Sequence, residues 1–189
     1  MRVVSGLARG HKLKTIDGEA VRPTIDRVKE AVFSSVSDMV YGCNFLDLFS
    51  GSGAIGIEAL SRQAKSVYFV DNDSHHVQVI NENIEHVKKA VLSGGADVSY
   101  SVMNTDAFSA LDRLSEKGVI FDIIFLDPPF CSNLIAPSIK RIYENNMLSK
   151  GGVIIAETGQ DEDLNNFKYV NILKMRNYGK ISVIYIDFI

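Results

Sequence analysis

Residues 46–56 read LDLFSGSGAIG, and the fold turns on that stretch. An apolar run, 44–49, leads into Gly51, Gly53 and Gly56, and an apolar segment with helical character, 54–63, follows. Strand, glycine turn and helix in direct succession form a G-x-G-x-x-G loop in its proper setting. The glycines let the backbone approach a ligand, and the helix opens with free N–H groups. Asp71 lies 20 residues after Gly51, at the end of the next apolar run, SVYFVD (66–71). A carboxylate there accepts hydrogen bonds from ribose hydroxyls. Loop and acid together predict a cofactor with an adenosine moiety, without saying which one.

The pattern continues outward from the loop. Further apolar runs stand at 97–103, 121–127 and 152–158. Most are near-continuous rather than alternating, as in strands covered on both faces. Helical segments separate them. Val77, Ile80, Ile84, Val87 and Val91 make one stripe within 73–92. Phe108, Leu111 and Leu114 make another within 106–117, and a helix begins near Pro137 with Ile139, Ile142 and Tyr143. Such alternation predicts an α/β fold with a doubly wound, mostly parallel sheet. KYVNILKM and KISVIYIDFI, joined by RNYG, read as an antiparallel hairpin on the sheet edge, making seven strands. At the front, RVVSG and HKLKT are expected to pair around Gly6 and Gly10. A helix is expected after Pro23, N-capped by Thr24, with Ile25, Val28, Val32, Val36 and Met39 on its apolar face.

A chain of 189 residues with 46% apolar and 23% charged residues is of one-domain size and ordinary globular composition. We divide it into a basic N-terminal arm with the start of the first helix, 1–30, and a main domain, 31–189. No apolar run is long enough for a membrane span, and the N-terminus is too polar for a secretory signal. Two distant cysteines, Cys43 and Cys131, predict neither a disulfide framework nor a metal site, and fit a reducing cytoplasm. The net charge of −3 is uneven. Arg2, Arg9, Lys12 and Lys14 give residues 1–14 a local +4 with no acid, so the rest carries −7. A basic arm on an acidic body points to a polyanionic partner.

Asp47, four residues before Gly51, favours S-adenosylmethionine over a dinucleotide. A carboxylate there repels a pyrophosphate but can orient a cationic amino-acid group, directly or through water. The chain beyond the fifth strand is also too short for a dehydrogenase's usual substrate domain. Asp106, in NTDAF, is a third acid at the same sheet edge; it can accept from an adenine amine or simply cap a helix.

The fourth strand ends in DIIFLDPPF, residues 122–130. Two prolines cannot continue a ladder, and the bland reading is a strand stop with a solvated acid. Beside a methyl donor the same residues do more. Asp127 can accept one hydrogen of an exocyclic base amine and the Pro128 carbonyl the other, while the prolines keep that carbonyl aimed. Phe130 can stack on the base.

With these blocks in place the chain resembles the bacterial RsmD family, the 16S ribosomal RNA guanine-N2 methyltransferases, whose customary target is guanine 966. The similarity rests on MRVVSGLARGHKL, RPTIDRVKEAVF, LDLFSGSGAIGIEALSRQA, FVDND and FDIIFLDPPF, in that order along essentially the whole chain. It implies a class I (Rossmann-like) methyltransferase fold, with S-adenosyl-L-methionine consumed, S-adenosyl-L-homocysteine released and no metal. It implies cofactor contacts from Asp47, Ser50, Gly51, Ser52, Gly53, Asp71 and Asp106. Asp127, Pro128 and Phe130 are implied to hold the target base. Arg22, Thr24 and Arg27 are implied at the mouth of the site, and Arg9, Lys12 and Lys14 on RNA phosphates. Arg27 and Lys29 also read as a solvated helix face beside Asp26 and Glu30. The resemblance further implies a cytoplasmic monomer acting on 16S ribosomal RNA within a small-subunit particle. One departure is Cys131-Ser132-Asn133, where the family often has a basic residue.

Three other readings compete. An adenine-N6 methyltransferase acting on DNA or RNA uses the same Asp-Pro-Pro-Phe chemistry. A non-catalytic nucleic-acid-binding protein would not need Gly51, Gly53 and Asp127 intact. A small NAD-dependent oxidoreductase is opposed by Asp47.

Overall fold

The structure is a computed structural model that describes residues 1–16, 23–95, 97–129, 132–159 and 168–189, with the side chains of 23–25 left aside. The helices are α1 (Pro23–Ser35), α2 (Ser37–Val40), α3 (Ala54–Ser61), α4 (Ser74–Leu92), α5 (Ala107–Glu116) and α6 (Ile135–Glu144). The strands are β1 (Asn44–Leu48), β2 (Ser66–Asp71), β3 (Ser99–Asn104), β4 (Phe121–Leu126), β5 (Leu148–Gly159), β6 (Val170–Tyr178) and β7 (Ile181–Phe188). The sheet order is β3-β2-β1-β4-β5-β7-β6. β1 to β5 run parallel, while β7 is antiparallel to both β5 and β6. The expected doubly wound sheet with a final hairpin is therefore present.

Side chains alternate across each strand, so each face takes every second residue. Phe45, Phe125 and Ile155 pack on one face with Val28, Val32, Phe33, Ile57, Leu60, Ile80, Ile84 and Val87 from α1, α3 and α4. Leu46, Leu48, Ile124, Leu126 and Ile154 pack on the other with Leu111, Leu114, Ile139 and Ile142 from α5 and α6. The strand order reverses between β1 and β4. Ligands bind outside the carboxyl ends of the strands at such a switch point.

Several helices differ in detail from their sequence patterns. α1 stops at Ser35 instead of running to Met39, because Val36 leaves helical geometry at φ −124° and ψ 21°. The break lets Val36 and Val40 both reach the core, while Met39 is only half-buried. α1 starts at Pro23, so Thr24 is inside the first turn rather than at the cap. On α4 the buried stripe runs through Val79 and Asn83, and Val77 is only half-buried. α6 begins at Ile135, and Pro137 falls in the first turn, where its missing N–H has no partner to lose. Tyr143 lies 39% exposed and stacks on Tyr169 at 4.1 Å instead of entering the core.

The N-terminal arm is packed against the domain. Arg2 and Lys12 form an antiparallel bridge, flanked by Val3 N–H to His11 O (3.0 Å) and Leu13 N–H to Met1 O (3.0 Å). Val3, Ala8 and Leu13 are buried. A Cβ on Gly6, at φ +79°, would lie 2.0 Å from the Ser61 carbonyl oxygen, so only glycine fits there. Fully buried Glu58 accepts from the Val4 and Ser5 N–H groups at 2.8 and 2.9 Å and from Arg62 Nε at 3.0 Å. Lys29 Nζ lies 3.4 Å from Glu58 and donates to the Arg2 carbonyl at 2.5 Å. Lys29 is 1% exposed, so the solvated-face reading fails for it and holds only for exposed Arg27. Burial pushes the Lys29 ammonium below its ordinary pKa, and Glu58 pulls it back.

Candidate functional site

The glycine loop is assembled by β1 and β2. Phe49 carries φ +71°, rare for a residue with a side chain, and its N–H and that of Ser50 both donate to the Val70 carbonyl, at 3.1 and 2.9 Å. Ser50 Oγ donates to the Asp47 carbonyl (2.6 Å) and accepts from Val70 N–H (2.9 Å). These bonds turn the chain sharply out of β1. Gly51 (φ +52°) then donates its N–H to Asp71 Oδ2 at 2.8 Å, and Gly53 (φ +76°) sits at the N-cap of α3. Gly56 serves packing: a Cβ there would lie 2.2 Å from Phe69 Cε1.

Two acids support this loop from beneath. Asp47, 1% exposed, accepts from Gly56 N–H at 2.9 Å. Burial pushes its carboxyl up to about 7; the Gly56 bond opposes this and the nearby Asp71 charge adds to it. Asp71 Oδ1 accepts from Asp73 N–H (2.9 Å) and faces His76 Nδ1 at 3.1 Å. Each oxygen of an ionised carboxylate has two lone pairs, so Asp71 keeps acceptor capacity for a ligand hydroxyl. Asp106 caps α5, accepting from Ser109 N–H at 3.0 Å, and that bond holds its exposed carboxyl below the usual range.

On the other side of the switch point, Asp47 pairs with Phe125 of β4. Asp127, two residues beyond Phe125 and one past the end of β4, is half-buried; Pro128 is buried and Pro129 exposed. The Pro129 carbonyl accepts from Ser132 N–H at 3.2 Å. Phe130 and Arg22 lie outside the described residues, and nothing is described of the Thr24 side chain.

The basic residues of the arm spread along α3. Leu7 N–H and Ala8 N–H bond Ser61 at the last turn of α3, which puts neighbouring Arg9 about 12 Å, one helix length, from the glycine loop. Arg9 and Lys12 are exposed. Lys14 lies at the loop end, exposed, with its ammonium donating to Glu82 at 2.6 Å, a surface pair weak enough to exchange for a phosphate.

Two positioning residues, Asn83 and Glu58, and one half-buried acid, Glu157, escaped the sequence reading. Asn83 accepts from Lys14 N–H (2.7 Å) and donates to the carbonyls of Lys14 (3.1 Å) and Ser52 (3.0 Å), clamping arm to loop. Its signal was an amide on the apolar stripe of INENIEHV. Glu58 stood in the apolar helix AIGIEALS, and its charge was the signal. Glu157 ends an apolar run on β5, and burial pushes its carboxyl up to about 7.

An acid-lined crevice with backbone N–H groups at one helix end suits hydroxyls and cationic groups better than a pyrophosphate. Among the described residues no cluster of side chains could hold a metal ion, and no helix is long and apolar enough to cross a membrane.

Comparison with known proteins agrees with this architecture. Residues 1–187 match the family model described as conserved hypothetical protein 95. The ribosomal RNA small subunit methyltransferase D of Haemophilus influenzae is 35% identical over 182 residues, covering 96% of this chain and 91% of that protein. Its namesake in Escherichia coli K12 is 34% identical over 164 residues, covering 87% and 77%. A solved structure from E. coli, provisionally titled a methyltransferase, superposes with a TM-score of 0.82 at 28% identity over 100% of this chain and 97% of that one. A Haemophilus structure, provisionally titled a methylase, gives 0.77 at 33% identity over 98% and 96%. A glycine loop over buried acids, a docked basic N-terminus and an Asp-Pro-Pro strand end thus come together in a chain that belongs to the conserved hypothetical protein 95 family, that of the RsmD methyltransferases.

Proposed function

We propose that this protein transfers a methyl group from S-adenosyl-L-methionine to the exocyclic N2 of a guanine in small-subunit ribosomal RNA, the guanine 966 type of reaction. The observation that carries the reading is the 35% identity to a small subunit methyltransferase D over 96% of the chain, with Asp127-Pro128 at the switch-point crevice. The cofactor supplies an electrophilic sulfonium methyl. The chain's own residues do the positioning. Gly51 and Gly53 open the backbone for close approach, Asp47 presents negative potential beneath a cationic amino-acid group, and Asp71 accepts from ribose hydroxyls. Ser50 and Ser52 hold the loop, and Asp106 stands at the adenine end.

Asp127 accepts one hydrogen of the guanine amine and the Pro128 carbonyl the other. A base amine is a weak nucleophile because its lone pair is conjugated into the ring. Holding both hydrogens orients that pair for in-line attack, which is mainly a positioning effect. The N–C bond would form as the methyl's bond to sulfur breaks and S-adenosyl-L-homocysteine leaves, with the amine's lost proton passing to Asp127. Phe130 serves as the stacking floor for a base swung out of its helix. Arg9, Lys12 and Lys14 hold RNA phosphates as the molecule docks, Arg22, Thr24 and Arg27 stand at the mouth of the site, and the protein acts as a cytoplasmic monomer on a small-subunit particle. The test is mass mapping of ribosomal RNA nucleosides from cells with and without the gene. Loss of one N2-methylguanine from small-subunit RNA is the expected result; loss of an N6-methyladenine instead would establish the adenine reading.

A further inference from the structure

We infer that Glu157 reads the Watson–Crick edge of the target guanine, its carboxylate accepting the N1–H while Asp127 accepts from the N2 amine; this rests on the guanine-N2 reading above. Three observations carry it.

The first is position. Leu126 of β4 pairs with Ala156 of β5, and Asp127 and Glu157 follow them directly. Parallel neighbours are about 4.8 Å apart, so the two acidic residues stand side by side at the strand ends. Glu157 pairs with Val183 of β7, whose side chain packs in the same face of the sheet as Phe125 and Ile155. Both acids therefore stand on the β4–β5 half of the crevice, away from the β1–β2 half that carries the glycine loop, Asp47 and Asp71.

The second is chemistry. Guanine offers two donors side by side on that edge, N1–H and N2–H, and adenine offers a donor beside the bare lone pair of N1. A pair of neighbouring carboxylates matches two donors and opposes a lone pair. Asp127 alone accepts from either amine, so a second acid is what separates guanine from adenine.

The third is an unanswered group. Among the described residues Glu157 has no hydrogen-bond or ion-pair partner, although it is only partly exposed. Burial pushes its carboxyl up to about 7. An incoming N–H donor is what stabilises the ionised form of such a group.

The test uses small-subunit RNA, assembled by ligation, with either guanine or 2-aminopurine at the methylated nucleotide. 2-Aminopurine keeps the amine to be methylated but has an unprotonated N1. Wild-type protein should prefer guanine by about tenfold or more in kcat/KM, the scale of one base-edge contact. In Glu157→Gln the amide N–H can donate to the N1 of 2-aminopurine, so that preference should shrink at least tenfold while S-adenosylmethionine affinity, measured by calorimetry, stays at the wild-type level. A residue with a merely structural role would lower both substrates together and leave the ratio alone. An unchanged ratio in Glu157→Gln overturns the proposal. So does a wild-type enzyme that methylates both RNAs equally, a result that needs no variant to fold. If wild-type protein transfers no methyl to the guanine RNA, the guanine-N2 reading itself falls, and Glu157's role with it.

Discussion

Replacing Glu58 by Ala removes the centre of the buried ion group that ties the arm and α1 to α3. Val4 N–H, Ser5 N–H and Arg62 Nε lose their acceptor, and Lys29 is left buried against the Arg2 carbonyl. Losing one partner of a buried pair costs about 3–5 kcal/mol. The variant can escape the unpaired charge by releasing the Lys29 proton. At pH 7.5 that costs about 1.4 kcal/mol for each unit below the ordinary lysine pKa of about 10.4, or about 4 kcal/mol, which caps the part of the loss owed to the Lys29 charge. The sign of the pH dependence follows. The unfolded chain then holds a proton on Lys29 that the folded variant lacks, so the variant gains stability as pH rises, by up to about 1.4 kcal/mol per unit. Urea unfolding at pH 7, 8 and 9 should show Glu58→Ala closing on the wild type at higher pH. Hydrogen exchange should show lost protection at Val4 and Ser5. Glu58→Met with Lys29→Met should recover most of the core stability, because the lysine charge is no longer buried, while Val4 and Ser5 stay unprotected. A loss below about 1 kcal/mol with no pH slope would refute the reasoning.

Other outcomes are equally open to measurement. Asp127→Ala should lose methyl transfer by about a hundredfold or more with little change in cofactor affinity, while Asp127→Asn, which can still accept a hydrogen bond, keeps measurable activity if orientation dominates; wild-type rates in the Ala variant would return Asp127 to a simple strand stop. Arg9→Ala with Lys12→Ala should weaken RNA binding and flatten its log–log salt dependence by about one unit per lost phosphate contact; an unchanged slope means a merely solvated arm. Asp47 has a folded pKa raised to about 7, so its contribution to stability is full below about 4 and lost as pH climbs through 7. Asp47→Asn cannot ionise and should gain on the wild type between pH 5 and 8 in urea unfolding of the cofactor-free protein; a constant difference would show that Asp47 never titrates there.

Much of this molecule is legible in its sequence because strands covered on both faces write themselves as short apolar runs. β1, β2 and β4 could be located that way, and the glycine loop fell between the elements it joins. What escaped depends on contacts far apart in the chain. Nothing in RVKEAVF says that Lys29 is buried, because its partner lies 29 residues away on α3. The break at Val36 satisfies the core rather than the local helical pattern. Lys14 looked like a free cation until α4 brought Glu82 to it. Asp47 was legible as an acid at the loop, and its hydrogen bond to Gly56 appears only once α3 folds back over β1.

The order of the strands in space also sets an order in time. β7 lies between β5 and β6, so among the described residues β6 has no neighbour in the sheet except the strand made after it. Until residues 181–188 emerge, β6 has nothing to add to, and β5 stays open along the edge that β7 will cover. The two strands join through a short turn at Gly179, so they can zip locally, at little cost in loop closure, and dock on β5 as one unit. In the finished sheet β6 is the outer edge, and it shows Leu173 and Met175 half-exposed, each followed by a cation, Lys174 and Arg176. Exposed Arg176 puts a charge on that edge, which discourages pairing with a strand of another chain, while Lys174 folds over the Tyr185 ring at 5.1 Å and donates to Ser35. The hairpin is thus a late-closing unit of the fold whose own edge charge protects it once it has closed.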